Sequence, residues 1–266
     1  RKGYFRNLVL REAKSTGQIL AVLVTKAGNK IDLEDLTGRL GEKAPQVRSL
    51  WWVETERVSD LVDYTGKTHV SGERSIEERL GGLSFRIYPE TFFQPNPRAA
   101  EVLYKRIADE VRTLGARKAL GLYCGSGSIE LSVSRATEEV VGIDSESANI
   151  AAARENAALN EIRNCRFIEG RVERVLGEES YAGFELLVLD PPRAGLSPKA
   201  LKQIIGLNIP NIIYVSCNRA CSEKAVIASG SSAAMIFSPT PRTSSLSPSW
   251  RDRPQPQKSV SDQRPS

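Results

Sequence analysis

The chain has 266 residues, 40% of them hydrophobic and 26% charged, with a net charge of +5 and a pI near 9.0. That length allows one large domain or two modest ones with a real core, and the composition is ordinary for a soluble globular protein. Nothing approaches the ~18 uninterrupted apolar residues of a membrane span, and the start Arg1-Lys2-Gly3-Tyr4 is unlike a signal peptide, so no membrane partner is expected.

Without an initiator Met, the chain is expected to begin inside a longer protein. The four cysteines, Cys124, Cys165, Cys217 and Cys221, are too sparse and irregular for a disulfide framework, which favours a reducing, cytoplasmic setting. Cys217 and Cys221 lack a second pair or a nearby His, so no metal site is expected. The basic balance is compatible with a phosphate-backbone partner but does not establish one. Oligomeric state is not legible.

Residues 1–90 read as a β-rich supporting or substrate-side domain. Asn7–Arg11 and Ile19–Thr25 flank the turn-like Lys14-Ser15-Thr16-Gly17, which predicts a hairpin. Trp51–Val53 and Leu83–Ile87 are further strand candidates, and His69, the one histidine, falls among them in a structural role. Asn96-Pro97 opens a helix to about Leu114, with Val102, Leu103, Ile107 and Val111 at helical spacing.

Strands and helices then alternate. Strands are predicted at Lys118–Tyr123, Val140–Asp144 and Cys165–Glu169, and helices at Ile129–Ala136 and Ser147–Leu159. Two apolar runs follow, Leu186–Leu189 and Ile212–Val215. This alternation predicts an α/β fold with a doubly wound parallel sheet over residues 91–227. Residues 228–266 are rich in Ser, Pro, Arg and Gln and show no strand or helix pattern, so an irregular tail is expected.

The last two strands of the sheet end in reactive groups, Asp190-Pro191-Pro192-Arg193 and Ser216-Cys217-Asn218. Ligand crevices in such sheets lie off the carboxyl ends of the strands, so one carboxylate and one thiol belong to the rim of one pocket. The pairing suggests a nucleophilic cysteine beside a bound cofactor. Tyr123-Cys124-Gly125-Ser126-Gly127-Ser128 joins a strand to a helix, as a close-approach ligand turn does. The next strand ends in Asp144, the place for a carboxylate that hydrogen-bonds ribose hydroxyls. A nucleoside cofactor is therefore expected. Glu130 and Leu131 stand where a dinucleotide fingerprint has its third glycine, which favours S-adenosyl-L-methionine over nicotinamide. Asp190-Pro191-Pro192 points the same way.

These residues resemble the RNA (uracil-5-)-methyltransferase family. The resemblance runs from Arg1 to about Cys221 and rests on five motifs in order: Thr91–Asn96, Leu122–Gly127, Val141–Asp144, Asp190–Gly195 and Val215–Asn218. It implies a Rossmann-like methyltransferase sheet and methyl transfer from S-adenosyl-L-methionine to carbon 5 of a uridine in RNA, with ribosomal RNA favoured over transfer RNA. It also implies that Gln94, Tyr123, Gly125, Gly127, Ser128, Asp144 and Asp190 hold the donor, and that Cys217 is the nucleophile. Asp190 supports either the uracil edge or the donor. Arg193 and Asn218 are candidates on the RNA side, although solvated charge explains Arg193, Lys199 and Lys202 equally well.

The chemistry accounts for the cysteine. Carbon 5 of uracil is too electron-poor to take a methyl group directly, and thiolate addition at carbon 6 makes it nucleophilic. A base must then remove the carbon 5 proton so that the thiol can leave. Cys165 and Cys124 read as packing, and Cys221 as incidental.

Departures from the family pattern are Gly121, where an acidic residue usually precedes the Tyr/Phe-Cys-Gly segment; Arg171, at a place often held by Asn or Asp; and Arg219, in place of a proline. Neither an iron–sulfur cysteine cluster nor an RNA-binding barrel is seen. The segment Asp-hydrophobic-Phe-Pro-His-Thr-x-His-hydrophobic-Glu, whose Glu is the family's base, is also missing. Met235 to Arg253 can, however, be back-translated so that a shifted frame reads Asp-Ile-Phe-Pro-His-Thr-Pro-His-Ile-Glu-Phe-Val-Ala-Leu-Leu-Glu-Arg and then a stop. The tail is thus expected to be a frameshifted C-terminus, with the last strands of the sheet missing and turnover impaired; a genuine disordered tail is the competing reading. Two other functions stay open: an amino-group methyltransferase using Asp190-Pro191-Pro192, and an RNA-binding remnant without turnover.

Overall fold

The computed structural model describes residues 3–28, 32–56, 64, 66–192, 194–216 and 232–237. At the N-terminal end, β1 (Phe5–Glu12) and β2 (Ile19–Thr25) form the expected antiparallel hairpin. Helix α1 (Leu33–Lys43) then returns the chain so that β3 (Val47–Glu54) pairs parallel to β2. Asp32 starts α1, accepting the Asp35 amide at 3.0 Å on its side chain. With β4 (Lys67–Gly72) antiparallel to β3, the sheet order is β1-β2-β3-β4. The His69 ring rests 4.9 Å from the Trp51 ring, and its Nε2 lies 3.1 Å from the Glu73 carbonyl, which fits the structural role expected of it.

A second hairpin, β5 (Ile76–Leu80) and β6 (Leu83–Ile87), bridges the two parts of the chain. Its outer residues Ile76 and Ile87 pack with Leu20, Val22 and Trp51 of the first sheet. Its inner residues Leu80, Leu83 and Phe85 join the core of the second sheet. A boundary at residue 90 therefore falls after a hairpin whose apolar side chains serve both cores.

Helix α2 (Pro97–Leu114) starts as its sequence predicts. The Asn96 side chain accepts the Ala99 amide at 3.2 Å, and Gly115 closes the helix at φ +63°. The remaining elements are β7 (Lys118–Leu122), α3 (Ser128–Val133), β8 (Glu139–Asp144), α4 (Ser147–Leu159) and β9 (Cys165–Glu169). They continue with α5 (Val172–Glu178), β10 (Leu186–Leu189), α6 (Pro198–Gly206), β11 (Asn211–Ser216) and β12 (Ser232–Phe237).

The second sheet has the order β12-β11-β10-β7-β8-β9 and is parallel throughout. Both faces are covered, which is why its strands read as continuous apolar runs rather than alternating ones. Leu186 and Val188 point into the core beneath α2, α3 and α4, while Leu187 and Leu189 pack against α5 and α6. Each such fully buried aliphatic side chain stabilises the fold by roughly 1.5–3 kcal/mol.

Residues 228–266, expected to be irregular, contain a strand. β12 pairs residue for residue with β11, from Asn211 against Ser232 to Ser216 against Phe237. Its opening Ser-Ala-Ala has little strand propensity, so no pattern announces it; an open edge on β11 offers backbone hydrogen bonds to any extended segment. Among the described residues no helix is long and apolar enough to cross a membrane, and no group of His, Cys, Asp and Glu is placed to hold a metal.

Candidate functional site

From β7 the chain moves outward one way through β8 and β9, and the other way through β10 and β11. The reversal opens a crevice over the carboxyl ends of β7 and β10, the place where open α/β sheets bind ligands. Asp190 follows β10 directly, and its amide donates to the Leu122 carbonyl at 3.3 Å, which ties it to the end of β7.

The turn after β7 begins with a strained residue. Tyr123 sits at φ +64°, a left-handed conformation unusual for an aromatic side chain, and Gly125 and Gly127 follow at +54° and +78°. A Cβ on Gly127 would lie 2.8 Å from the Phe167 ring and 3.0 Å from Ala153, so that position requires glycine on two counts. A Cβ on Gly125 would meet only the exposed Phe92, in ordinary contact at 3.7 Å. The glycine turn is therefore closely packed at Gly127 and more loosely covered at Gly125.

Asp144, at the end of β8, is buried and accepts three hydrogen bonds. Its Oδ2 accepts the Gly125 amide at 2.9 Å; its Oδ1 accepts the Glu146 amide at 2.9 Å and the Asn149 side-chain amide at 3.3 Å. Its first task is thus to fasten the turn, and any ribose hydroxyl would take a remaining lone pair. Asn149 also accepts the Phe92 amide at 3.0 Å, and Ser126 Oγ donates to the Phe92 carbonyl at 3.0 Å. Phe92 is thereby tied to α4 and to the glycine turn, and Gln94, two residues on, is half-buried.

Ser128 is the first residue of α3. Its hydroxyl lies 2.8 Å from that of Tyr104, which burial keeps well above the usual phenol range. Burial likewise pushes the Asp190 carboxyl up to about 6. Glu130 is the residue that sequence reasoning missed. It is buried under the glycine turn, its carboxyl is pushed up to about 8 by loss of solvent, and Oε2 has no partner. Its signal was present in the sequence, as a carboxylate flanked by Ile129 and Leu131 in the first turn of a helix. Asn149 and Asn156 were also missed: they lie seven apart on α4, and nothing in their spacing shows that both are buried.

Cys124 is buried and Cys165 partly so, with the latter thiol pushed up to about 12, in keeping with packing roles. Arg193, Cys217, Asn218, Arg219 and Cys221 lie outside the described residues. β11 runs beside β10 in register Leu189 to Tyr214 and ends at Ser216, the residue before Cys217.

A parallel sheet with a glycine turn and carboxylates converging at its switch point is a Rossmann-like methyltransferase sheet. Residues 64–228 match the tRNA (uracil-5-)-methyltransferase family, and the chain belongs to that family. It is 39% identical over 222 residues to an uncharacterized RNA methyltransferase of Clostridium acetobutylicum, a match covering 81% of this chain and 48% of that protein. A second, from Clostridium tetani, is 38% identical over 82% of this chain and 48% of its own. Among solved structures, the tRNA (uracil-54, C5)-methyltransferase of Pyrococcus abyssi in complex with S-adenosyl-L-homocysteine aligns with a TM-score of 0.67. That alignment has 31% identity and covers 82% of this chain and 51% of the other. The chain thus spans about half the length of the relatives it matches.

Proposed function

We propose that this chain carries the catalytic part of an enzyme that methylates carbon 5 of a uridine in RNA, with S-adenosyl-L-methionine as donor. The observation that carries the reading is the meeting of Asp190, at the end of β10, with the glycine turn after β7. The site fits a nucleoside donor: it offers a left-handed glycine turn, a strand-end carboxylate at Asp144, and two further carboxyls without cationic partners among the described residues. Gln94, Tyr123, Gly125, Gly127, Ser128, Asp144 and Asp190 would hold the donor, which supplies an electrophilic methyl group. Cys217 adds through sulfur to carbon 6 of the uracil, and electron density moves to carbon 5 for attack on that methyl. Arg193 and Asn218 face the RNA.

Ribosomal RNA is our first choice of substrate. The Pyrococcus abyssi structure, titled as a tRNA enzyme, supports transfer RNA as the second. We place the protein in the cytoplasm. We also propose that residues from about 228 onward are a shifted reading of the family's C-terminus, so that the proton-abstracting Glu is missing. DNA covering the codons for Met235 to Arg253 tests this, and codons incompatible with the shifted frame overturn it.

The decisive experiment incubates the protein with donor and uridine-containing RNA. Wild type should form a denaturant-resistant protein–RNA adduct carrying donor methyl, with little released product, and Cys217→Ala should form none. Methyl transfer that survives Cys217→Ala excludes the covalent route and favours the amino-group reading.

A further inference from the structure

A carboxyl beneath the glycine turn has one oxygen with nothing to bind. Glu130 comes from the first turn of α3 and folds back under the sheet, so that a Cβ on Gly121 would overlap its Oε1. The side chain is 3% exposed, and Oε2 has no hydrogen-bond partner among the described residues. The charged groups that act on it are Asp190 and Asp144, both negative. Tyr104, from α2, lies on the same face and feels both Asp190 and Glu130, with its hydroxyl on Ser128. Three carboxyls and a phenol thus converge under the glycine turn, and no Lys or Arg is among the groups acting on Glu130. A buried acid with one oxygen left unsatisfied is costly unless something later satisfies it.

Gly121 explains how the acid fits. Every other described residue of β7 carries a side chain; at 121 the missing Cβ leaves a gap that the Glu130 carboxyl fills. Strand and helix have exchanged roles at this point, the strand giving space and the helix giving charge. A ligand that completes this site must bring a cation with N–H donors, because Oε2 lacks a donor as well as a counter-charge. The proposed methyl donor has two cations. Its sulfonium has no N–H and must face the acceptor at the rim, where Asp190 and the end of β11 lie. Its ammonium has three N–H groups and lies on the amino-acid arm, a few bonds from the sulfur and on the side away from the adenosine.

Resting on the cofactor assignment above, we infer that Glu130 is the residue that binds the ammonium of the donor's amino-acid end, through the gap left at Gly121. Glu130 is a specificity residue for donors with a free amine. On binding it gives up its proton to solvent, and the buried ion pair replaces the buried acid.

Calorimetry with S-adenosyl-L-homocysteine and with methylthioadenosine, which lacks the amino-acid end, tests this. Glu130→Gln keeps the shape and removes the charge. It should weaken S-adenosyl-L-homocysteine by about 10- to 100-fold, the range of a charge-assisted hydrogen bond, and leave methylthioadenosine unchanged. Wild type should release about one proton per S-adenosyl-L-homocysteine bound near neutral pH, and the variant none. A double variant, Gly121→Asp with Glu130→Ser, returns the carboxyl to the strand and should recover most of the affinity, with unliganded thermal melts confirming that each variant is folded. Equal weakening of both ligands, or none, overturns the inference. If wild type binds neither S-adenosyl-L-homocysteine nor the methyl donor, the cofactor assignment itself fails.

Discussion

Asp144 Oδ2 accepts the amide of Gly125 at 2.9 Å, so the end of one strand holds the turn that leaves its neighbour. The same carboxylate takes the Glu146 amide and the Asn149 side chain. Asp144→Ala strands these donors in a buried place, at a cost of about 1–3 kcal/mol for each one left unsatisfied. Urea unfolding should show a loss of at least about 2 kcal/mol for the alanine variant and a smaller one for Asp144→Asn, which keeps one acceptor oxygen. S-adenosyl-L-homocysteine affinity should fall in both, since the turn that faces the ligand loses its anchor. A stability change near zero would mean the anchoring is dispensable.

The hairpin β5–β6 is fastened to the end of α4 by two asparagines as well as by the ion pair of Arg86 with Glu155. Asn156 Oδ1 accepts the Arg86 amide at 2.8 Å, Asn160 Oδ1 accepts the Ser84 amide at 2.8 Å, and Asn160 Nδ2 returns a bond to the Ser84 carbonyl at 2.7 Å. Asn156 is fully buried and also donates to the Ser126 carbonyl, which links the hairpin to the glycine turn. Asn156→Ala should destabilise the protein by about 1–3 kcal/mol. Amide exchange should accelerate first at residues 80–87 and in the turn at 124–127, before the first sheet responds. Uniform acceleration across all three sheets would show that the asparagine does not couple these parts.

Two raised carboxyls set the response to pH. In the folded protein Asp190 titrates at about 6 and Glu130 at about 8, both because burial disfavours the charged form. The unfolded chain releases these protons earlier, in the ordinary carboxyl range, so it binds fewer protons than the folded protein in between. Their contribution to stability is therefore complete in acid and is lost as pH rises, through about 6 for Asp190 and about 8 for Glu130. The slope should reach up to about 1.4 kcal/mol per pH unit for each group in its window. Urea titrations on either side of neutrality should show the decline in wild type and a flatter profile between 6 and 8 in Glu130→Gln. An unchanged profile in that variant would assign the decline elsewhere.

Much of the architecture was legible because strands with two buried faces and helices with one leave different periodicities. The runs at Val140–Asp144, Ser147–Leu159 and Cys165–Glu169 coincide with β8, α4 and β9 within a residue. Helix α2 was marked at its start by Asn96-Pro97, and its end at Leu114 matches the reach of its apolar spacing. Less visible were α1, β4, α5 and α6, which are short or largely exposed, so that their apolar residues are too few to set a period. β12 was the clearest miss, since a ladder of backbone bonds leaves no side-chain pattern.

At the site, Gly125, Gly127, Asp144 and Asp190 were recognisable because chain order alone puts them at strand ends, and parallel strands send all those ends to one edge. That much follows from local pattern and the handedness of the connections. How the side chains share space does not follow from it. That Asp144 faces inward to hold a turn, that two asparagines bind a hairpin to a helix, and that Gly121 makes room for Glu130 all depend on atoms distant in sequence meeting at contact range. Hydrogen bonds and steric overlap decide those pairings over a few ångströms, a distance that only the folded chain defines.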